Sequence, residues 1–293
     1  MEFGRDRRFY NEGMIEYLYL GRVAYDEALR LQAELVEQRY QGRVGNVLLL
    51  LEHPPVLTLG RNANRANVLA SDAMLAARGV TLHQINRGGD VTYHGPGQLV
   101  GYPIFDLRTL HTTSGSRMGP VDFVRQMEEA LIRLCGVYGV RAGRIPGLTG
   151  VWCGVPEPQL SSKESPRASA KIGAIGIHVS RGITSHGFAF NVTTNLDDFR
   201  LINPCGITDK PVTSLEREIT DPVRMPTLEA IADQAARQFG LVLREHIMAV
   251  ASIEELRAAA GASNPAQMPD DTPLQVPREV ERLRGDMEPP VRA

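Results

Sequence analysis

Three short stretches of this 293-residue chain carry side chains whose types and spacing could do chemistry. In Asn203-Pro204-Cys205-Gly206-Ile207 a cysteine stands between proline and glycine, the composition of a turn that presents a reactive group from a rigid frame. A thiol with an ordinary pKa is only about 3% thiolate at pH 7, so a nucleophilic Cys205 needs an activating neighbour. Lys171 opens the otherwise apolar run Lys171-Ile172-Gly173-Ala174-Ile175-Gly176-Ile177. A lysine desolvated there gives up its proton readily, and a protonated one stabilises a thiolate. On spacing alone Lys171 also fits the solvent end of a strand, and Cys205 also fits a loop cysteine without a role. The other two cysteines, Cys135 on the apolar stripe of a predicted helix and Cys153 at a strand end, read as core.

The third stretch is Arg87-Gly88-Gly89-Asp90-Val91-Thr92-Tyr93-His94-Gly95-Pro96-Gly97-Gln98. So many glycines cost folding entropy, and they let main-chain N–H groups approach a ligand closely. Arg87 and His94 add side-chain donors, while Tyr93 and Gln98 can orient a polar group. The same residues also fit a tight hairpin with a satisfied histidine, and His94 fits either a substrate-orienting group or a structural one. No Cys-x-x-Cys pair or His/Cys cluster has metal-ligand spacing, so no metal is expected. No phosphate loop or dinucleotide fingerprint occurs, and no other cofactor is expected.

The elements that must position these groups are partly readable from periodicity. Strands are expected at Met14–Gly21, Asn46–Glu52, Val56–Leu59, Leu82–Ile85, Val91–Tyr93, Leu99–Phe105, Thr149–Cys153, Lys171–Ser180 and Thr184–Val192. The last two form a hairpin about Ser180-Arg181-Gly182-Ile183, with Gly182 at positive φ. Its second arm, His186-Gly187-Phe188-Ala189-Phe190-Asn191, alternates small or polar with aromatic residues, so the two arms together wall a slot for an apolar chain. Helices are expected at Val23–Tyr40, Val121–Tyr138, Thr227–Leu241 and, shorter, Ser252–Ala260. This irregular succession predicts an α+β fold with a mixed, largely antiparallel sheet. The expected organisation is an N-terminal extension at 1–13, a catalytic domain at 14–245 and a C-terminal extension at 246–293. Pro156–Ala170 is an exposed loop insertion in that domain. Six prolines after Gly261 make most of the tail too poor in apolar surface to fold, so it is expected to be mobile.

Composition sets the remaining bounds. A formal net charge of −2 gives no general attraction to nucleic acid. No apolar run approaches the ~18 residues of a spanning helix, so no membrane role is expected. The first ten residues mix Glu2 and Asp6 with Arg5, Arg7 and Arg8 and do not read as a targeting signal. Three cysteines, an odd number, point to a reducing cytoplasm.

Taken in order, the stretches resemble the lipoyl(octanoyl) transferases. The resemblance rests on 87–98, on His53-Pro54-Pro55-Val56-Leu57-Thr58-Leu59-Gly60-Arg61 and on Gly150-Val151-Trp152. It rests also on Lys171–Gly176, on Pro204-Cys205-Gly206 and on Thr213-Ser214-Leu215, and it covers roughly residues 14 to 245. It implies an α/β core like that of biotin and lipoate protein ligases, and a cofactor-free enzyme. Such an enzyme moves an octanoyl group from acyl carrier protein to a lysine of lipoyl domains, those of 2-oxoacid dehydrogenases and the glycine-cleavage H protein. The family's acyl-thioester cysteine falls on Cys205 and its activating lysine on Lys171. Its substrate-binding positions fall on Arg87, Gly88, Gly89, Asp90, Val91, Thr92, Tyr93 and His94, on Ala174, Ile175 and Gly176, and on Gly187, Phe188 and Ala189. A monomer is the plain expectation for an enzyme that meets two protein partners. Two other readings share the fold: an ATP-dependent lipoate or biotin protein ligase, and a non-catalytic protein that binds lipoyl domains. A nucleophilic cysteine argues against both.

Overall fold

The computed structural model describes residues 13–155, 168–203, 211–219 and 225–261. Strands β1 (Met14–Arg22), β2 (Asn46–Glu52), β6 (Gln98–Ile104), β7 (Ala142–Ile145), β8 (Leu148–Cys153), β9 (Ala170–Ser180), β10 (Ile183–Asn191) and β11 (His246–Ala249) form one sheet. Its order is β11-β1-β2-β6-β10-β9-β8-β7, parallel from β11 through β1 to β2 and antiparallel elsewhere. A smaller sheet, β4-β3-β5, joins β3 (Val56–Leu59), β4 (Thr81–Gln84) and β5 (Val91–His94).

β2 shows why the large sheet lies at the centre. Val47 to Leu51 are apolar without a break and all have 0% exposure. Alternation sends Leu48 and Leu50 to one core and Val47, Leu49 and Leu51 to the other, the pattern of a strand covered on both faces. Helices α3 (Pro120–Val137) and α5 (Leu228–Leu243) cover the first face, where Phe105, Phe123, Phe188, Phe190 and Phe239 meet. Helix α1 (Tyr25–Tyr40) and α6 (Ile253–Ala260) cover the second. A third core lies under the small sheet and α2 (Asp72–Ala77). The N-caps Ser71, Thr227 and Ser252 accept a hydrogen bond from the main-chain N–H of their helix's third residue, which fixes those starts.

The expected hairpin is present and tighter than foreseen. Ser180 pairs with Ile183, leaving a two-residue loop in which Arg181 as well as Gly182 has positive φ, 51° and 85°. The Arg181 guanidinium offsets that cost by lying 3.9 Å over the Tyr40 ring and pairing with Glu37 at 2.7 Å.

Two expected boundaries are corrected. The limit at residue 245 falls inside the fold, because β11 pairs in parallel with β1 from Met14–His246 to Tyr17–Ala249. After it, Val250, Leu256 and Ala260 enter the α1-side core, and Arg257 grips Glu34 through two bonds of 2.9 and 2.8 Å. Ala170, assigned to the inserted loop, is instead the buried first residue of β9, paired with Cys153. Elements α2, β7, β11 and α4 (Leu215–Glu218) were not foreseen, each being too short to show a period. No helix among the described residues is long and apolar enough to cross a membrane.

Candidate active site

A cavity of about 400 Å³ lies on the α1 side of the large sheet, between the β9–β10 hairpin and the glycine-rich stretch leading into β5. Its size is that of a small-molecule site. The hairpin supplies the floor. Ala174 pairs with Ala189 and Gly176 with Gly187, so the floor-facing positions of both strands are small. Their alternates Gly173, Ile175 and Phe188 turn toward the opposite core. The glycine-rich stretch closes on this floor by main-chain contact: Gly88 N–H donates to Ile177 O at 3.0 Å. A Cβ at Gly176 would come within 2.6 Å of Gly88 O, so only glycine permits that approach.

Lys171 stands at the other end of the floor through an irregularity in β9. Val151 pairs with Gly173, but Trp152 pairs with Lys171 and Cys153 with Ala170, so Ile172 is an extra residue on β9. Strict alternation would give Lys171 the same face as Gly173 and Ile175, in the core. The bulge reverses that parity and lets Lys171 line the cavity three residues before Ala174, while Ile172 packs into the core. The lysine's Nζ lies 4.6 Å from the centre of the Trp152 ring, a cation–π contact.

Two buried arrangements hold this end. Glu128 of α3 has 0% exposure and accepts from Gly150 N–H at 3.0 Å, from Arg144 Nε at 3.0 Å and from Arg125 Nη1 at 2.6 Å. That fixes the turn into β8, whose Gly147, Leu148 and Thr149 form a cavity wall. Gly150, at φ 123°, lets that turn pass over Gly173 O and the Lys171 side chain. Main-chain bonds hold the second: Lys171 N–H donates to Pro211 O and Thr213 N–H to Lys171 O, both at 2.9 Å. At the far side Asn203 N–H donates to Asn67 O at 2.7 Å. Cys205 lies outside the described residues, in the segment between Asn203 and Pro211.

The remaining wall is aromatic and polar. Tyr25 stacks on His94 with centroids 6.2 Å apart and contacts His53 edge-on at 5.0 Å. Gln98 donates from Nε2 to Tyr93 O and to Asn191 Oδ1, so its Oε1 accepts from His94 Nδ1 at 2.8 Å and fixes the Nδ1–H tautomer. Asn191 in turn donates to Thr213 O at 2.9 Å, tying this wall to the chain beside Lys171. Burial lowers the pKa of His53 to about 4, of His94 to about 3 and of His186 to about 3, so all three are neutral. His186 has φ 55° within β10, and its N–H leaves the ladder to donate to Gln32 Oε1 of α1 at 2.8 Å. Arg87 is a brace: it donates to Thr58 O at 2.9 Å, to Thr58 Oγ1 at 3.0 and 3.3 Å, and to Gly88 O at 3.0 Å.

Comparison with known proteins decides what such a site belongs to. The family described as lipoyl protein ligase A/B catalytic domain matches residues 24–240. The octanoyltransferase of Acidobacterium capsulatum is 57% identical over 236 residues, covering 80% of this chain and 92% of that protein. The octanoyltransferase of Koribacter versatilis is 48% identical over 273 residues, covering 93% and 98%. The chain belongs to the octanoyltransferase family. It is an acyltransferase.

Solved structures at low identity carry the same fold. A bipartite lipoate protein ligase from Thermoplasma acidophilum superposes with TM-score 0.60 at 18% identity, covering 84% of this chain and 91% of that one. A lipoate-protein ligase A bound with ATP superposes with TM-score 0.57 at 16% identity, covering 85% and 92%. The α+β architecture with a mixed, largely antiparallel sheet is therefore the lipoate-ligase type.

Of the residues picked out in the sequence, Lys171, Arg87, Gly89, Asp90, Val91, Thr92, His94, Ala174, Gly176, Gly187 and Ala189 meet around the cavity of this enzyme, while Ile175 and Phe188 border it with their side chains packed in the opposite core. Gly88 stands behind Gly176. Tyr93 does not reach the cavity: its hydroxyl donates to Asp198 at 2.9 Å and its ring packs in the core of the small sheet. Asp90 lines the cavity, and its carboxylate also accepts from Asn67 Nδ2 at 2.5 Å and Asn64 N–H at 3.2 Å. Sequence reading missed Tyr25, Tyr102 and the Gly147–Thr149 wall. Tyr25 opens α1, and only tertiary packing reveals that this face of the helix borders a cavity.

Proposed function

We propose that the enzyme transfers the octanoyl group by a ping-pong reaction. The donor is an octanoyl thioester of acyl carrier protein, and the acceptor is a lysine on a lipoyl domain. Cys205 thiolate attacks the thioester carbonyl, the carrier thiol leaves with the proton of the Lys171 ammonium, and an acyl-Cys205 thioester remains. The acceptor amine then attacks that thioester, Lys171 takes the proton released from nitrogen, and Cys205 thiolate is regenerated as the amide forms. Thioester to amide is downhill, so the cycle needs no ATP.

The observation that carries this reading is the main-chain stitch beside the cavity. Lys171 holds Pro211 and Thr213 by its own N–H and C=O, and these residues follow the segment that contains Cys205. A lysine is thus fixed beside the chain returning from the cysteine, and a cavity with a small-residue, largely apolar floor begins at the same point. In this reading the enzyme is a cytoplasmic monomer, and the burial of the cysteine side chains of Cys135 and Cys153 fits a reducing compartment. The catalytic unit in this reading runs from Met14 through α6.

Intact-mass analysis after incubation with octanoyl carrier protein tests it. One octanoyl group is expected on Cys205, none on a Cys205→Ser variant, and transfer to a lipoyl domain slowed by roughly 10²–10⁴-fold in Lys171→Ala. Full transfer in either variant overturns the pair. An unmodified chain that consumes ATP and free lipoate makes it a ligase instead.

A further inference from the structure

We infer that the β9–β10 floor is a ruler for acyl chain length, with Ala174 and Ala189 as its gauge and the Gly88–Gly176 contact as its stop. The inference rests on the proposed acyl-binding role of the cavity.

The reacting end is fixed by Lys171, and the floor runs from there along β9. At ~3.3 Å per residue, less the bulge at Ile172, Ala174 lies roughly 8 Å and Gly176 roughly 15 Å along the strand. Over that length each cavity-facing pair is small, first Ala174 with Ala189, then Gly176 with Gly187. An alkyl chain can therefore lie in the groove between two β-strands, against methyl groups and bare backbone. Beyond Gly176 the groove ends. Gly88 is bonded to Ile177 O, and its own carbonyl stands where a Gly176 Cβ would be. Arg87 behind it is held by four hydrogen bonds to main-chain and threonine oxygens, so this stop is main chain on a fixed brace. To one side His186 is neutral, tied to Asn86 at 2.8 Å, and buried. A chain longer than the groove must push methylenes against these carbonyls and the guanidinium, which already have their partners. A shorter one leaves apolar floor uncovered.

A side chain enlarged at the gauge should move the limit inward without touching the reacting end. Transfer to a lipoyl domain would be measured with hexanoyl, octanoyl, decanoyl and dodecanoyl carrier-protein thioesters on the full chain. The unaltered enzyme is expected to prefer octanoyl over dodecanoyl by about tenfold or more, the discrimination typical of a closed apolar pocket. Ala189→Leu is expected to lose octanoyl transfer by a further tenfold or more relative to hexanoyl, and Ala174→Val, on the partner strand, to shift selectivity in the same direction. Equal rates for octanoyl and dodecanoyl in the unaltered enzyme would overturn the stop. The same proportional loss at every chain length in both variants would overturn the gauge. If no chain length leaves an acyl group on Cys205, the reading of the cavity fails, and the ruler with it.

Discussion

Single side chains at this site are tuned mainly by burial. His53, His94 and His186 sit with folded pKa values of about 4, 3 and 3, while the same groups in an unfolded chain titrate near the ordinary ~6.5. Below that value the unfolded chain binds protons that the folded one does not, so stability must fall as pH falls from about 6.5 toward 4. Each histidine contributes a slope of up to ~1.4 kcal/mol per pH unit in that window and none above it. Urea midpoints from about pH 7 to pH 4.5 should drop steeply in the wild type and less steeply in His94→Gln. A flat profile would mean that these rings are accessible to protons in the folded state. Lys171 was conspicuous in the sequence because a lysine in an apolar strand is rare, yet its direction was not legible. Parity depends on the bulge at Ile172, and a bulge leaves no mark in composition.

Among elements, α3 shows how a helix on the far side of the sheet shapes the cavity. Its periodicity was plain, and the position of Cys135 in its core face followed from it. Glu128 was not foreseen, because a carboxylate among apolar residues reads as a break in the stripe. It is instead the buried acceptor for Gly150, Arg125 and Arg144. Glu128→Gln keeps the shape and removes the charge that both arginines face, leaving Arg144 with Glu129 as its carboxylate partner. The expected cost is ~1–2 kcal/mol in denaturant unfolding, because both guanidiniums are partly exposed, with slower transfer because a neutral amide holds Gly150 N–H less firmly than a carboxylate. Unchanged stability would show that the arginines find water instead. The unbroken apolar run of β2 and the long periodic helices α3 and α5 were readable, whereas β7, β11 and α2 were not. Four to six residues give periodicity too little to work on, and partner strands decide whether they pair at all.

At the scale of the molecule, the large sheet runs through to β11, and the polypeptide closes on itself where β1 pairs with that strand. A chain cut after Glu245 would lose the edge strand together with Val250, Leu256, Ala260 and the Arg257–Glu34 pair. At ~1.5–3 kcal/mol for each large apolar side chain buried, that is a large part of a typical 5–15 kcal/mol stability. Near-ultraviolet circular dichroism and thermal unfolding should show a loosened core in that truncation and a native one in a chain cut after Gly261. The architecture was legible from strand order and hairpin signals. The boundary was not, because the proline-rich composition beyond Gly261 drew attention away from the four-residue strand before it.

The bulge at Ile172 also bears on how such a site can change over evolutionary time. Its parity is a matter of counting: the lysine faces the cavity because one more residue separates it from Ala174 than strict alternation would require. Replacing Ile172 by another apolar residue leaves that count intact. Deleting it, or adding one residue beside it, turns the ammonium into the phenylalanine-lined core or forces the strand to re-pair with β8. Position 172 should therefore drift freely among apolar residues, and the segment hardly at all in length. Insertions are better accommodated where the chain already leaves the sheet, between β8 and β9.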